Sequence, residues 1–168
     1  MGRDAMTDDM VARAQALAIA AHEGQSDKSG APYWKHPARV AGIVRELYPD
    51  ASDSAVAVAW LHDVIEDTGV TASILLAVNF PPEVVDAVLA LTRPQVADGA
   101  SRELKANVSA VYYANIRAVG GAALMVKHAD ITDNLDAERL ALLEPALVAK
   151  LQVKYAHALE VLGLHRHN

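Results

Sequence analysis

A chain of 168 residues, 52% of them hydrophobic and 21% charged, can build one sizeable core, is short for two, and is too apolar to stay disordered. It contains no cysteine, which removes disulfides, thiolate metal sites and cysteine nucleophiles together and leaves any metal to nitrogen and oxygen ligands. A formal net charge of −6 with no block of Lys or Arg argues against a nucleic-acid partner, whose backbone favours a basic stripe.

A small phosphorylated ligand stays compatible with that acidity, because a bound divalent cation can supply local positive charge. No apolar run approaches the ~20 residues that cross a bilayer. The opening M-G-R-D-A-M-T-D-D-M lacks the apolar core and cleavage pattern of a signal peptide. The expectation is a soluble, cytoplasmic protein with no membrane partner, built as a single domain over 1–168 with its core at about 7–162.

Helical periodicity runs through nearly the whole chain. Met10, Val11, Ala14, Leu17, Ala18 and Ala21 recur at spacings of three and four, an apolar stripe on a first helix. Thr7 is its expected cap, with Asp8 and Asp9 in the first turn, and it should end near Gly24. A loop rich in turn formers, Q-S-D-K-S-G-A-P-Y-W, follows. His36-Pro37 then opens a second helix, proline being favoured at the first helical position, and the helix runs to about Tyr48.

A third helix is expected over 52–67, apolar nearly all round in its middle and therefore central, with Gly69 closing it. Shorter helices fit 72–78 and 82–91, a loop fits 93–101, and helices fit 102–118, 122–135 and 146–162. Alternation of the strand type is scarce, and valine patches such as 56–58 sit among alanines, the best helix formers. The fold class is all-α, a compact helical bundle.

The third helix finishes as W-L-H-D-V-I-E-D-T-G over 60–69, a histidine and three carboxylates after an oily run. Acids at a helix C-terminus oppose the macrodipole, which prefers cations there. An unpaired buried carboxylate is costly, so the group must be exposed, paired or metal-bound. On a continuous helix His62 and Glu66, and Asp63 and Asp67, would share faces. His62 and Asp63 diverge by only about 100° and can both reach one ion. Upstream stands His36; downstream, V-K-H-A-D-I-T-D-N carries Asp130 in another helix.

These residues resemble the HD superfamily of metal-dependent phosphohydrolases, and within it the hydrolase domain of RelA/SpoT-like alarmone enzymes and their small stand-alone relatives. The likeness covers roughly 12–160 and is densest in A-H-E-G-Q-S-D-K-S-G-A-P-Y-W-K-H-P-A-R-V-A, A-W-L-H-D-V-I-E-D-T and V-K-H-A-D-I-T-D-N-L-D. H-D-x-x-E-D-T downstream of P-Y-x-x-H-P is a specific pattern, whereas a lone His-Asp pair is not.

The resemblance implies that His36, His62, Asp63 and Asp130 ligate a metal. Two imidazoles and two carboxylates suit a divalent transition ion better than Ca²⁺, and relatives point to Mn²⁺. Glu66 and Asp67 match the pair that positions or deprotonates water and helps protonate the leaving oxygen. Lys28 matches a phosphate-holding loop lysine, and Asn134 an asparagine near the bound nucleotide. The implied partner is a small phosphorylated nucleotide, and the implied reaction is 3′-pyrophosphohydrolysis of (p)ppGpp. Homo-oligomerisation stays open.

Two departures bear on the substrate. Where alarmone hydrolases usually carry a base-stacking arginine, this chain has Asp27; where they tend to read N-x-R, it reads Asn134-Leu135-Asp136. Both exchanges put an anion for a cation on the expected substrate side. They keep two alternatives in view: a phosphohydrolase for another nucleotide or phosphomonoester, and a low-turnover metal- or nucleotide-binding sensing domain. Tyr33, His22 and His128 are expected to pack or hydrogen-bond structurally, and Tyr112-Tyr113 and Lys154-Tyr155 to serve the core or a subunit contact.

Overall fold

The computed structural model describes residues 5–167, with side chains from Met10 onward. Its elements are α1 (Ala5–Ala21), α2 (Lys35–Leu47), α3 (Asp53–Leu61), α4 (Val64–Asp67), α5 (Ala72–Ala77), α6 (Pro82–Leu91), α7 (Arg102–Val119), α8 (Gly121–Asn134), α9 (Ala137–Leu140) and α10 (Pro145–Leu162). Among the described residues no strand forms; Ser26 and Pro32 make one isolated antiparallel bridge in the 22–34 loop. None of these helices is long and apolar enough to cross a membrane.

α3 is the axis of the bundle. Ala55 to Leu61 are all buried, which requires neighbours on every side, and α1, α2, α6 and α8 supply them. Each valine or leucine so enclosed contributes about 1.5–3 kcal/mol relative to exposure. Ser52 starts the helix by accepting the Ala55 N–H at 3.2 Å. Thr71 and Ser101 do the same for α5 and α7, while Pro82 and Pro145 stand at helix starts that need no N–H. Between α7 and α8, Gly120 adopts φ 61°, ψ −150°, a region open in practice only to glycine.

Several boundaries differ from expectation. α1 starts at Ala5, ahead of Thr7, so Thr7 lies inside the helix; its side chain and those of Asp8 and Asp9 fall outside the described ones. Trp34 holds the cap position of α2, so Pro37 stands third in the helix and not first. The expected 52–67 helix is two helices. α3 closes at His62, Asp63 takes φ −106°, ψ −2° and opens the single turn of α4. That bridge conformation is sparsely populated and recurs at active sites. α9 was not anticipated: Asp136 caps it by accepting the Arg139 N–H at 3.0 Å.

Candidate metal centre

Four side chains from three parts of the fold converge: His36 from the first turn of α2, His62 and Asp63 from the α3–α4 break, and Asp130 from α8. Nε2 of His62 lies 3.3 Å from Nε2 of His36 and 3.1 Å from Oδ2 of Asp63. Nε2 of His36 lies 3.1 Å from Oδ1 of Asp130 and 3.6 Å from Oδ2 of Asp63. The His62–Asp130 separation is 3.8 Å. Donor atoms on a sphere of ~2.1 Å radius about one ion stand roughly 3–3.5 Å apart, so these spacings suit a shared cation. The break at Asp63 permits this, because it turns the second carboxylate toward its neighbour's imidazole.

The tautomers agree with that fit. Nδ1 of His62 donates to the Ala59 carbonyl at 2.7 Å, and Nδ1 of His36 donates to Oδ2 of Asp133 at 2.7 Å. Each ring therefore turns an Nε2 lone pair toward the common point. Burial favours neutral imidazoles, yet Asp130 and Asp133 outweigh it and push His36 up to about 10. His62 is raised too, its burial opposed mainly by Asp63. Despite burial, His62 holds the Asp63 carboxyl below its ordinary range, and Lys127 does so for Asp130. The cluster is a place where positive charge is stabilised.

Around it lies a layer of supporting side chains. Asp133, 2% exposed, also accepts from Nε and Nη2 of Arg39 at 2.7 and 3.2 Å. Nζ of Lys127 donates to Oδ2 of Asp130 at 2.7 Å. Asn134 donates to Oδ1 of Asp130 at 2.8 Å and to its carbonyl at 2.9 Å. The Tyr33 hydroxyl donates to Oδ2 of Asp63 at 2.7 Å; burial and the Asp63 charge push Tyr33 far above the usual phenol range, so it stays a donor.

The cluster opens onto a cavity of about 390 Å³, within the usual size of small-ligand sites. Glu66 and Asp67 line it from α4. One oxygen of Glu66, Oε1, accepts the Arg93 backbone N–H. Burial raises both carboxyls, and the neighbouring Asp63 charge adds to the rise. In a chain of net charge −6, five cations line this one cavity: Lys28, Arg93, Lys127, Arg139 and Lys154. Lys154 is shifted down by burial and then by the Arg93 and Lys127 charges. Five carboxylates, Asp27, Asp63, Glu66, Asp67 and Asp130, share the lining, so the wall carries both signs of charge.

All eight expected site residues, His36, His62, Asp63, Asp130, Glu66, Asp67, Lys28 and Asn134, line this cavity. Tyr33, Tyr112, Lys154 and Tyr155, expected to pack or to face a subunit, line it as well. Asp136 does not: it caps α9 and borders another depression with Ile131 and Arg166. Of the two anions expected on the substrate side, only Asp27 is there. His128 accepts from the Tyr48 hydroxyl at 2.7 Å and donates from Nε2 to the His165 carbonyl at 2.8 Å. His22 is buried with its Nδ1 2.8 Å from Gln25 Oε1.

The family model of the HD domain matches residues 14–151. The chain belongs to the HD domain family. Among curated proteins it is 38% identical over 100 residues to a GTP pyrophosphokinase of Myxococcus xanthus, covering 58% of this chain and 13% of that protein. It is 53% identical over 55 residues to the guanosine-3′,5′-bis(diphosphate) 3′-pyrophosphohydrolase of Haemophilus influenzae, covering 33% of this chain and 8% of that protein. The chain thus spans only about an eighth or less of these relatives' length. A solved structure described as a metazoan ortholog of SpoT that hydrolyzes ppGpp superposes with a TM-score of 0.75 at 20% identity, covering 96% of this chain and 88% of that one. At that identity the match shows the shared fold.

Proposed function

We propose that this HD domain is a metal-dependent phosphohydrolase of a nucleotide, with removal of the 3′-pyrophosphate of (p)ppGpp as its reaction. His36, His62, Asp63 and Asp130 would hold the ion, with Mn²⁺ the first candidate among divalent transition metals. One observation carries the reading: His36, His62 and Asp130 bring ligand atoms within 4.8 Å of one another, with Oδ2 of Asp63 3.1 Å from Nε2 of His62, beside Glu66 and Asp67. The two-nitrogen, two-oxygen donor set suits Mn²⁺, Fe²⁺, Co²⁺ or Zn²⁺. A divalent ion held there would acidify a water and polarise the phosphorus.

The residues of the chain supply the rest. Hydrolysis joins a water oxygen to phosphorus and breaks the bond to the 3′-oxygen; one proton leaves the water and one reaches the departing oxygen. Glu66 and Asp67, both raised by burial, are the groups placed to take and give those protons. Raised carboxyls are better proton carriers near neutral pH than ordinary ones. Lys127, Arg93 and Lys154 offset the phosphate charge. The curated relative named as a 3′-pyrophosphohydrolase supports the choice of substrate.

Incubation with (p)ppGpp and Mn²⁺, read for pyrophosphate release against an Asp63→Ala control, tests the proposal; equal release from both proteins rejects it. Asp27 in the cavity favours a second reading, hydrolysis of another nucleotide or phosphomonoester. A panel of phosphorylated nucleotides read for both phosphate and pyrophosphate separates the two. Tight binding of metal and nucleotide without turnover would instead support a sensing domain, for which Glu66 and Asp67 have no use.

A further inference from the structure

Glu66 and Asp67 ride on a single turn of helix, and a single turn does not hold its own shape. α4 spans only Val64–Asp67, closed by the Asp67 N–H donating to the Asp63 carbonyl at 3.0 Å. A first turn fixes several backbone dihedrals for one hydrogen bond, which is unfavourable by itself. Oγ1 of Thr68 adds a bond to the Val64 carbonyl. The two ends of the turn are gripped by side chains from a distant part of the chain, the loop between α1 and α2.

Gln25 grips the C-terminal end. Its Nε2 donates to the Asp67 carbonyl at 2.8 Å, one of the acceptors that a helix leaves open at its end. A carbonyl only accepts, so this bond fixes the amide's orientation and turns Oε1 toward Nδ1 of His22, 2.8 Å away. His22 must then carry a proton on Nδ1. Its ring is fully buried and packs on Tyr33 with 4.9 Å between centroids, while Nε2 has no hydrogen-bond partner among the described residues. A buried polar atom without a partner is costly. Packing on Tyr33 does not require that cost, since an apolar ring would fill the same place. What the histidine adds is the N–H that anchors Gln25.

Tyr33 grips the other end through its hydroxyl, which donates to Oδ2 of Asp63 at 2.7 Å. Its backbone N–H donates to the Gln25 carbonyl at 2.9 Å, so the two grips are tied to each other. Neither His22 nor Gln25 lines the cavity; their reach to the site runs through the backbone of α4. We infer that Gln25 is a positioning residue for the hydrolysis: anchored by His22, it fixes the Asp67 end of α4 and so sets where Glu66 and Asp67 stand relative to the His–Asp cluster. This rests on the nucleotide-hydrolase reading above and adds what keeps its proton-carrying groups in place.

The test compares wild type, Gln25→Met and Gln25→Glu. Methionine keeps the length and loses both bonds; glutamate keeps an acceptor for His22 but offers the Asp67 carbonyl no N–H. With Mn²⁺ and ppGpp, kcat should fall about tenfold or more in both variants, because small misplacements of reacting groups cost rate steeply. KM and the Mn²⁺ dissociation constant should stay within about threefold of wild type. Hydrogen exchange on the metal-free proteins should show the amides of 64–69 about fivefold faster, the effect of one lost hydrogen bond, with the rest of the domain unchanged. Gln25→Glu decides the matter alone if Gln25→Met does not fold. A wild-type kcat in Gln25→Glu overturns the inference and leaves the hydrolase reading standing. Losses of kcat and Mn²⁺ affinity in equal measure, or faster exchange throughout the domain, also overturn it, as a merely structural bond. Wild type that turns over no phosphorylated nucleotide overturns both.

Discussion

His36 and Asp133, 97 positions apart in the chain, are joined by a 2.7 Å hydrogen bond from Nδ1 to Oδ2. The bond fixes the tautomer that leaves Nε2 free, and Arg39 holds the carboxylate from its other side. Outer partners of this kind typically carry a 10–100-fold effect on metal affinity. Asp133→Asn should therefore weaken Mn²⁺ binding by about that factor, measured by competition with a fluorescent chelator. An unchanged dissociation constant would show that His36 needs no such support.

Glu66→Gln and Asp67→Asn should separate binding from chemistry. Neither residue is among the four proposed ligands, so Mn²⁺ affinity should stay within a few-fold of wild type. Loss of a proton-transfer group costs about 10²–10⁴ in rate. Parallel calorimetry and pyrophosphate-release assays check both expectations, and a collapse of metal binding in Glu66→Gln would move that residue into the ligand set.

A cation that binds the folded cluster must stabilise the fold. At about 100 times its dissociation constant the gain is about 2.7 kcal/mol, or roughly 5–10 °C in Tm for a chain of this size. Differential scanning fluorimetry with and without Mn²⁺ should show the shift in wild type and lose it in His62→Ala. The same upward shift in that variant would place the ion elsewhere.

Tyr48, His128 and the His165 carbonyl form a hydrogen-bonded bracket from α2 across α8 to the chain's end. It lies apart from the cavity, whose lining includes none of these residues. Tyr48→Phe should cost about 1 kcal/mol of stability with kcat and KM unchanged. Urea melts and steady-state assays on the same preparation check this; a change in KM would tie the bracket to the substrate.

Helices were legible because their causes are local. Apolar spacing acts within a few residues, and α3 declared its central place by being apolar all round, whereas Thr7, the expected cap of α1, lies inside that helix. The resemblance also picked out side chains that the structure brings to one cavity. The break after His62 was hidden, since Val64 to Asp67 continues a plausible helical pattern and only the local backbone at Asp63 departs from it. Asp136 looked like a substrate-side anion because spacing says nothing of which way a short helix such as α9 turns.

Sequence by itself determined the helical class, most helix ends and the residue types gathered around the acidic turn, all set by hydrogen bonds and hydrophobic period within three or four positions. Tertiary packing alone decided that Asp133 would hold His36, that Tyr33 would reach Asp63, and that Asp27 would face Arg139. These pairs are 97, 30 and 112 positions apart. Contacts at such range have no periodic trace, because they depend on how whole helices dock and not on the residues between.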